Sequence, residues 1–339
     1  IVEETIDGHP TGWVYAGLSV EQGASVTING SGSLEATGAT SPNSLYWANA
    51  AKAAGIGASC YFKASSLKQC TVGTITIEGG TVTATGSGYS GGYGGPGIGG
   101  TNDSDIIITG GNVTATSGSL SNGCAGIGSA YGQKGNKHIV IKGDAVVNAT
   151  GGNAGIGGGG YKPAGTIEIS ENCTVTATSK DVGAGIGGGG AWADETLNVT
   201  GKITIFGGTV TAQGSAYGAG IGGGGCSEMN GDKAGAQASG DITISGGVVT
   251  AIGGTYAPGI GSGVLKDLKD ENQWHQAVSR HTNSGKMGTI VISGGSVTAT
   301  NGSSFAATGK SYNVLDDSDD LTAVSGIGQG ANASQAAQD

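Results

Sequence analysis

The sequence is poor in charged residues, aromatic residues and proline, and each scarcity excludes a class of protein. Charged residues make up 12% of the 339 residues, with 15 Lys and Arg against 25 Asp and Glu. The net charge of −10 argues against nucleic-acid binding, which depends on basic groups that contact phosphates. Only 5 prolines accompany 73 glycines, and no Gly-X-Y period is present, so the chain is not collagen-like.

Long apolar runs and metal-binding cysteine spacings are also missing. No apolar run approaches the roughly 18 residues that a membrane-spanning helix needs, so no membrane insertion is predicted. The 5 cysteines form no Cys-X-X-Cys pair and no Cys/His spacing typical of zinc sites. Cys60 and Cys70 lie in one insertion, where a disulfide and two unpaired thiols are equally compatible with the sequence.

What the chain has instead is a repeat of three short motifs. Gly-Ile-Gly, then Ile-X-Ile with a glycine turn, then Val-Thr-Ala-Thr recur in this order, for example at 97–99, 106–111 and 113–116. The shortest spacing between successive Gly-Ile-Gly isoleucines is 29 residues, from Ile98 to Ile127. Each motif alternates with a period of 2, which predicts three short strands with Ile, Val and Ala on the inner face.

This repeat predicts an all-β fold, a right-handed parallel β-helix of about eight coils with corner insertions. An antiparallel sandwich would not need one three-part unit in fixed order, and a propeller blade needs more strands and more residues. We expect a single domain over 1–339, with an N-terminal cap at 1–23. A long, partly helical corner insertion is expected at 262–289, and a long C-terminal loop at 301–325.

The run GAGIGGGG, at 183–190 and 218–225, is not expected to bind a nucleotide. A phosphate-binding or dinucleotide-binding loop needs a helix after its glycines, and neither run is followed by one, so no such cofactor is predicted. The glycines are expected to supply positive φ angles and close backbone approach at a coil corner. We also hypothesise that these strands present a flat strip of bare backbone on which another surface could lie.

Function is expected on the insertions between Gly-Ile-Gly and Ile-X-Ile, because insertions at one corner of a solenoid stack along one side. The long ones are 188–202, 223–241 and 262–289. Aromatic rings stack on sugar faces and polar groups bind hydroxyls, so this side is predicted to bind glycans. The glycan-binding candidates are Trp192, Trp274, His275, Arg280 and His281.

Carboxylates on the same insertions leave an enzyme open as the alternative. A glycoside hydrolase needs two carboxylates about 5–10 Å apart. The catalytic candidates are Asp194, Glu195, Asp232, Asp267 and Asp270. The competing interpretation is that these charges are solvated and that the insertions only flank the solenoid.

Two smaller features of the sequence point to further functions. Acidic clusters could hold calcium as a cofactor through Asp103, Asp105, Asp317 and Asp319. The outward threonines of the third strand, such as Thr83 and Thr85, would stack into a regular array like the faces of solenoid ice-binding proteins. Glu35, Asn148, Gln213, Val248 and Ile252 interrupt that array.

The pairing of Ala/Pro-Gly-Ile-Gly with ITIxGGxVTATG resembles the glycine-rich β-helix repeats of large secreted or surface-anchored proteins of Gram-positive, often gut-dwelling bacteria. The resemblance extends from about residue 24 to 330. It implies an extracellular or cell-wall-attached protein that engages carbohydrate as a binding module or adhesin, and that could be part of a larger surface protein. No catalytic motif of β-helix lyases or hydrolases is matched residue for residue. A structural stalk is the remaining alternative.

Overall fold

A computed structural model describes most of the chain as β-strands wound into a solenoid. The described residues are 2–6, 9–40, 53–63, 66–69, 72–88, 94–100, 105–120, 123–132, 138–190, 201–225, 239–255, 257–263, 288–302 and 327–328. Within these ranges there are three long parallel sheets, one four-stranded antiparallel sheet and no helix. The predicted parallel β-helix of about eight coils is therefore confirmed. The right-handed winding stays a prediction.

Each coil contributes one strand to each of the three parallel sheets. The arch sheet contains the Gly-Ile-Gly strands β3 (Leu18–Ser19), β6 (Ile56–Gly57), β11 (Ile98–Gly100), β14 (Ile127–Ser129), β17 (Ile156–Gly157), β20 (Ile186–Gly187), β23 (Ile221–Gly222), β26 (Ile260–Gly261) and β29 (Ile327–Gly328). The isoleucine sheet contains β4 (Ser25–Ile28), β9 (Thr74–Ile77), β12 (Asp105–Ile108), β15 (His138–Ile141), β18 (Thr166–Ile169), β21 (Ile203–Ile205), β24 (Ile242–Ile244) and β27 (Ile290–Ile292). The threonine sheet contains β5 (Ser33–Thr37), β10 (Thr81–Thr85), β13 (Asn112–Thr116), β16 (Val146–Gly151), β19 (Thr174–Ser179), β22 (Thr209–Gln213), β25 (Val248–Ile252) and β28 (Ser296–Thr300).

Like residues stack on like residues from coil to coil. Ile156 of the arch sheet pairs with Ile186, and in the threonine sheet Val175 pairs with Val210. The inward side chains of the three sheets form one continuous apolar core, in which the isoleucines of the middle coils are fully buried. Register is fixed because a slip of one residue would turn every inward Ile or Val to the outside. The predicted inner face is confirmed.

The chain begins in a separate antiparallel sheet. It consists of β1 (Val2–Ile6), β2 (His9–Val14), β7 (Cys60–Lys63) and β8 (Ser66–Gln69), in this spatial order. Strands β7 and β8 belong to the insertion after β6, so this insertion forms a hairpin that pairs with the N-terminal strands. Cys60 in β7 is disulfide-bonded, and Cys70 lies outside the described residues.

The arch sheet begins within the N-terminal segment and ends at the Gly-Ile-Gly repeat of Ile327, which the sequence also predicts. β3 pairs with β6 in the arch sheet, so the first coil begins at Leu18, inside the segment 1–23 that was expected to be only a cap. At the other end β29 pairs with β26 and starts a ninth coil. Most of the predicted insertion at 262–289 and of the C-terminal loop at 301–325 lies outside the described residues.

Candidate functional site at the insertion corner

The Gly-Ile-Gly element is a tight arch rather than a straight strand. In five coils the backbone N–H of the alanine two residues before the isoleucine donates to the carbonyl two residues after it, for example from Ala184 to Gly188 at 2.9 Å. The chain therefore folds back at Ile186, whose side chain points into the core. We call such a unit the glycine arch, and its two ends the legs. Pro96 and Pro258 replace the alanine in two coils and cannot donate this bond.

The arch needs glycine on both sides of the isoleucine, for different reasons. The glycine after it has φ between 126° and 144° in every coil from β6 to β26, a region that side chains rarely adopt. A Cβ at this position, as at Gly187, would also overlap the carbonyl oxygen of the next coil. The glycine before the isoleucine, as at Gly185, approaches the end of a strand in the threonine sheet too closely for a Cβ. The predicted role of these glycines is confirmed.

The arches and their legs form a second buried layer outside the main core. Residues 123–130, 151–160, 182–190 and 218–225 are all buried. The hypothesis of an exposed strip of bare backbone is therefore wrong. The strip is covered because each leg packs against the other leg of its arch and against the coils above and below.

Bonds between adjacent coils brace the legs across the arch. Gly225 N–H donates to the Val182 carbonyl at 2.6 Å, and Gly160 N–H donates to the Gly123 carbonyl at 3.4 Å. Between the fifth and sixth coils, a side-chain oxygen replaces the backbone carbonyl as the acceptor of this hydrogen bond. The Oδ1 atom of fully buried Asn153 accepts from Gly190 N–H at 2.5 Å, and its Nδ2 donates to the Gly123 carbonyl at 2.8 Å.

The insertions leave the solenoid from this braced corner. Each lies between an arch strand and the following strand of the isoleucine sheet, and both sheets are paired in register along the solenoid. The long insertions at 188–202, 223–241 and 262–289 therefore begin one above the other, at successive arches. The insertions therefore start along one side of the solenoid, as expected, and a function on them stays a prediction.

Two tyrosines that were not among the predicted site residues meet at this corner. The rings of Tyr131 and Tyr161 are 5.2 Å apart between centroids and inclined at 80°, an edge-to-face contact. Both residues are partly exposed. The Tyr131 ring lies over Gly160, where an added Cβ would overlap it. Aligning the coils on Gly-Ile-Gly would have found them, since Tyr131 and Tyr161 then fall at neighbouring positions after the arch.

Tyr161 adopts a left-handed backbone conformation, and the equivalent residue of the preceding coil is a glycine. Its φ is 67°, and Gly132, which occupies the same position in the preceding coil, has φ of 69°. Each donates its N–H to the equivalent carbonyl of the next coil, Gly132 to that of Gly160 and Tyr161 to that of Gly190. For a residue with a Cβ this conformation costs about 1–2 kcal/mol. The chain therefore carries a tyrosine where glycine would be less strained.

Most of the predicted site residues lie outside the described residues. This holds for the catalytic candidates Asp194, Glu195, Asp232, Asp267 and Asp270, for the glycan-binding candidates Trp192, Trp274, His275, Arg280 and His281, and for the calcium candidates Asp103, Asp317 and Asp319. Their grouping stays a prediction. The structure places only the beginnings of the insertions that carry most of them.

Asp105 is the one predicted site residue that the structure describes. It starts β12, and its Oδ1 atom lies 3.9 Å from Nδ1 of His138 on the neighbouring strand. Both side chains are partly exposed. The part of the chain that the structure describes contains no group of three or more His, Cys, Asp or Glu side chains that could hold a metal ion. The calcium prediction is untested, since Asp103 lies outside that part.

The outward face of the threonine sheet is regular and nearly uncharged. Thr83, Thr114 and Thr250 belong to one column of in-register residues, and Thr85, Thr116 and Thr178 belong to a second. Glu35 is the only charged residue among the outward positions of its eight strands. Asn148 and Gln213 interrupt the columns at the coils predicted from the sequence. The predicted outward direction of these residues is confirmed.

Comparison with known protein families identifies the repeat. A family model described as a β-helix repeat matches residues 26–60, 75–102, 106–131, 139–160, 167–190, 203–225, 242–264 and 290–309, together more than half of the chain. Comparison with curated proteins and with solved structures gives no match. No helix within the described ranges is long and apolar enough to cross a membrane. The matches recur once per coil and cover all eight strands of the isoleucine sheet, and on this ground the chain belongs to the β-helix repeat family.

Proposed function

We propose that this protein is an extracellular or cell-surface β-helix that binds carbohydrate along its insertion corner. The observation that carries the proposal is the register of the arches, which starts successive insertions one above the other. A long polysaccharide is itself a repeating, extended ligand, and a row of loops on a rigid scaffold matches that shape. The sequence adds Trp192, Trp274 and Arg280 to these loops.

The composition of the corner supports a neutral or weakly charged ligand. The buried arch residues 123–130, 151–160, 182–190 and 218–225 are mostly glycine and alanine, with a few Ile, Ser, Cys, Asn and Val side chains, and none of them is charged. The net charge of −10 disfavours anionic polymers. Aromatic rings for stacking and a few hydrogen-bonding groups are the combination that binding sites for sugars require.

Electrophoresis in native gels that contain a polysaccharide tests the proposal. The whole chain is run with gastric mucin, xyloglucan, galactomannan or mixed-linkage β-glucan, and at least one polymer is expected to retard it. Trp192→Ala and Trp274→Ala should reduce the retardation. Phe206→Ala is the control, because Phe206 is an exposed aromatic residue in the turn between the isoleucine and threonine sheets. Absence of retardation by any of the four polymers, with equal migration of all variants, would refute glycan binding and favour a stalk.

The same samples separate binding from hydrolysis. Release of reducing sugars by the native chain, abolished by Asp194→Asn, Glu195→Gln, Asp232→Asn, Asp267→Asn or Asp270→Asn, would make the protein a glycoside hydrolase with these carboxylates as acid and base or nucleophile. Retardation without sugar release is the result expected for a binding module or adhesin.

The regular threonine sheet favours ice binding as a second candidate function. Its outward columns repeat a hydroxyl and a methyl group at each strand, with spacing of about 4.8 Å between coils. Thermal hysteresis of the native chain at micromolar concentration is the test. Thr176→Tyr, in the middle of the face, should abolish it, and Thr76→Tyr, on the outward side of the isoleucine sheet, should not. No hysteresis in the native chain would remove this candidate.

A further inference from the structure

We propose that Tyr131 and Tyr161 form an aromatic platform, in which the face of one ring, supported edge-to-face by the other, stacks on a sugar ring of a neutral glycan. This inference rests on the proposed glycan-binding function and assigns it a subsite. The two rings are 5.2 Å apart and project from consecutive coils at the points where insertions leave the arches. Backbone hydrogen bonds to the following coil hold each tyrosine or its neighbour in place. Gly132 N–H donates to the Gly160 carbonyl, and Tyr161 N–H donates to the Gly190 carbonyl.

The conformation of Tyr161 indicates that the fold does not require a side chain at this position. Gly132 makes the same turn in the preceding coil with nearly the same φ, 69° against 67°. A Cβ at Gly132 would meet no atom within 4 Å, so the turn faces open space. Strained residues of this kind concentrate at binding sites, where the surrounding structure holds them. A glycine in place of Tyr161 would make the same turn without strain.

The position of the rings differs from that of core aromatics. Neither tyrosine belongs to the main apolar core, and both are partly exposed. The Tyr131 ring instead packs on Gly160 of the next coil, which has no side chain in the way of the ring. Ordered rings at the surface lose little conformational entropy on binding, which favours affinity.

The chemistry of the platform fits a pyranose ring better than a charged ligand. The C–H face of a sugar is apolar and stacks on an aromatic ring, while its hydroxyls lie at the rim, where polar groups can reach them. The surrounding arch residues are uncharged, and Lys162 follows Tyr161 directly. In the next coil the sequence continues the series with Trp192, two residues after Gly190.

Affinity electrophoresis of tyrosine variants tests the platform. In gels with the neutral polymers xyloglucan, galactomannan or mixed-linkage β-glucan, Tyr131→Ala and Tyr161→Gly should each weaken retardation of the native chain about tenfold. Tyr161→Phe keeps the ring and should retain retardation. Tyr15→Ala is the matched control, since Tyr15 is 41% exposed and lies between β2 and the first coil. Gly160→Ala should also weaken retardation, because its Cβ displaces the Tyr131 ring.

Melting of Tyr161→Gly separates a binding role from a packing role. A glycine relieves the left-handed strain, so the variant should melt at the native temperature or above it while binding is lost. A lower melting temperature would assign the ring to packing and overturn the platform. Retardation that persists in Tyr131→Ala and Tyr161→Gly but is lost in Trp274→Ala would overturn the platform and leave the proposed function intact. Absence of retardation of the native chain would overturn both.

Discussion

The coils have two glycine-rich corners, and the sequence treats them differently. At the glycine arch, the residues on both sides of the isoleucine are glycine in every coil from β6 to β26. At the turn between the isoleucine and threonine sheets the glycines change position. Five coils place the positive φ on the third residue after the strand, as at Gly80, whereas Gly30, Gly143 and Glu171 place it on the second.

The difference follows from what each corner contacts. An arch glycine meets the backbone of the next coil and has an unusual φ, so two constraints exclude a side chain. A turn needs one left-handed residue, and its outer side faces solvent, so Asp144, Glu171 and Asn172 are accommodated. The inner side of the turn is covered, and burial raises the pKa of the Cys173 thiol there. The arch is therefore fixed by stacking, while the turn is fixed by local backbone conformation.

A glycine-to-alanine substitution at each corner should give the largest difference in the free energy of unfolding. Gly187→Ala combines a strained φ of 135° with overlap of the Gly222 carbonyl, so it should lower the free energy of unfolding by about 3 kcal/mol or more. Gly30→Ala, with φ of 91° and no atom within 4 Å of the added Cβ, should cost only about 1 kcal/mol. Denaturant midpoints measured by circular dichroism compare the two.

Hydrogen exchange identifies the coils that Gly187→Ala destabilises. In a solenoid each coil contacts only its neighbours, so the loss of protection should centre on the fifth to seventh coils. Equal midpoints for Gly187→Ala and Gly30→Ala would show that stacking does not constrain the arch.

Removing the side chain that braces two arches should have the next largest effect. Asn153→Ala leaves the buried Gly190 N–H without its acceptor, which should cost about 2 kcal/mol. Asn148→Ala, on the exposed face of the threonine sheet, should change the free energy of unfolding by less than about 0.5 kcal/mol. Thermal melting of the two variants measures the contrast. A loss of similar size for both would contradict the bracing role.

The sequence predicts the strands of the three sheets well because their signals are local. Ile75 and Ile77, or Val82 and Ala84, alternate with polar residues over a few positions, and alternation is enough to assign the inner face. Recurrence of the motifs then predicts register, since stacking like on like is the arrangement that buries every inward side chain. The first coil was placed too late because Gly17-Leu18-Ser19 lacks the second glycine of the motif.

The arch and the backbone strain at Tyr161 could not be predicted, although an alignment of the coils places Tyr131 and Tyr161 at neighbouring positions. Gly-Ile-Gly has one side chain, so no alternation distinguishes a straight strand from a reversal, and the bonds that close the arch join backbone atoms only. The Gly-Ile-Gly strands were therefore expected to form an exposed strip. Tyr161 was overlooked because its significance comes from comparison with Gly132, and a positive φ on tyrosine has no signal in the sequence.

Two buried serines of the arch layer should show a smaller contrast. Ser129 Oγ accepts from Gly159 N–H at 2.7 Å, so Ser129→Ala should cost about 1–2 kcal/mol. Ser87 Oγ is buried and has no hydrogen-bond partner among the described residues, so Ser87→Ala should be neutral or slightly stabilising. Urea titration of both variants gives the difference. Destabilisation by Ser87→Ala as large as that by Ser129→Ala would mean that its hydroxyl is bonded in solution.

The smallest effect is expected where a turn already tolerates a side chain. Glu171 has φ of 64°, and Gly143, at the same turn position of the preceding coil, has φ of 67°. Its carboxylate accepts from Gly143 N–H at 3.0 Å and lies 3.9 Å from Lys142 Nζ, both at the exposed surface. Glu171→Gly removes strain of about 1–2 kcal/mol and loses bonds of about 0.5–1.5 kcal/mol in total, so the net change should stay below about 1 kcal/mol.

Salt sharpens this last comparison, because strain is insensitive to ionic strength and an exposed ion pair is screened. In 1 M sodium chloride the native chain should lose a few tenths of a kcal/mol relative to Glu171→Gly, and Lys142→Ala should respond as Glu171→Gly does. Melting temperatures at low and high salt measure the shift. A difference that does not change with salt would assign the position of Glu171 to local backbone conformation alone, whereas stacking between coils fixes the glycine arch.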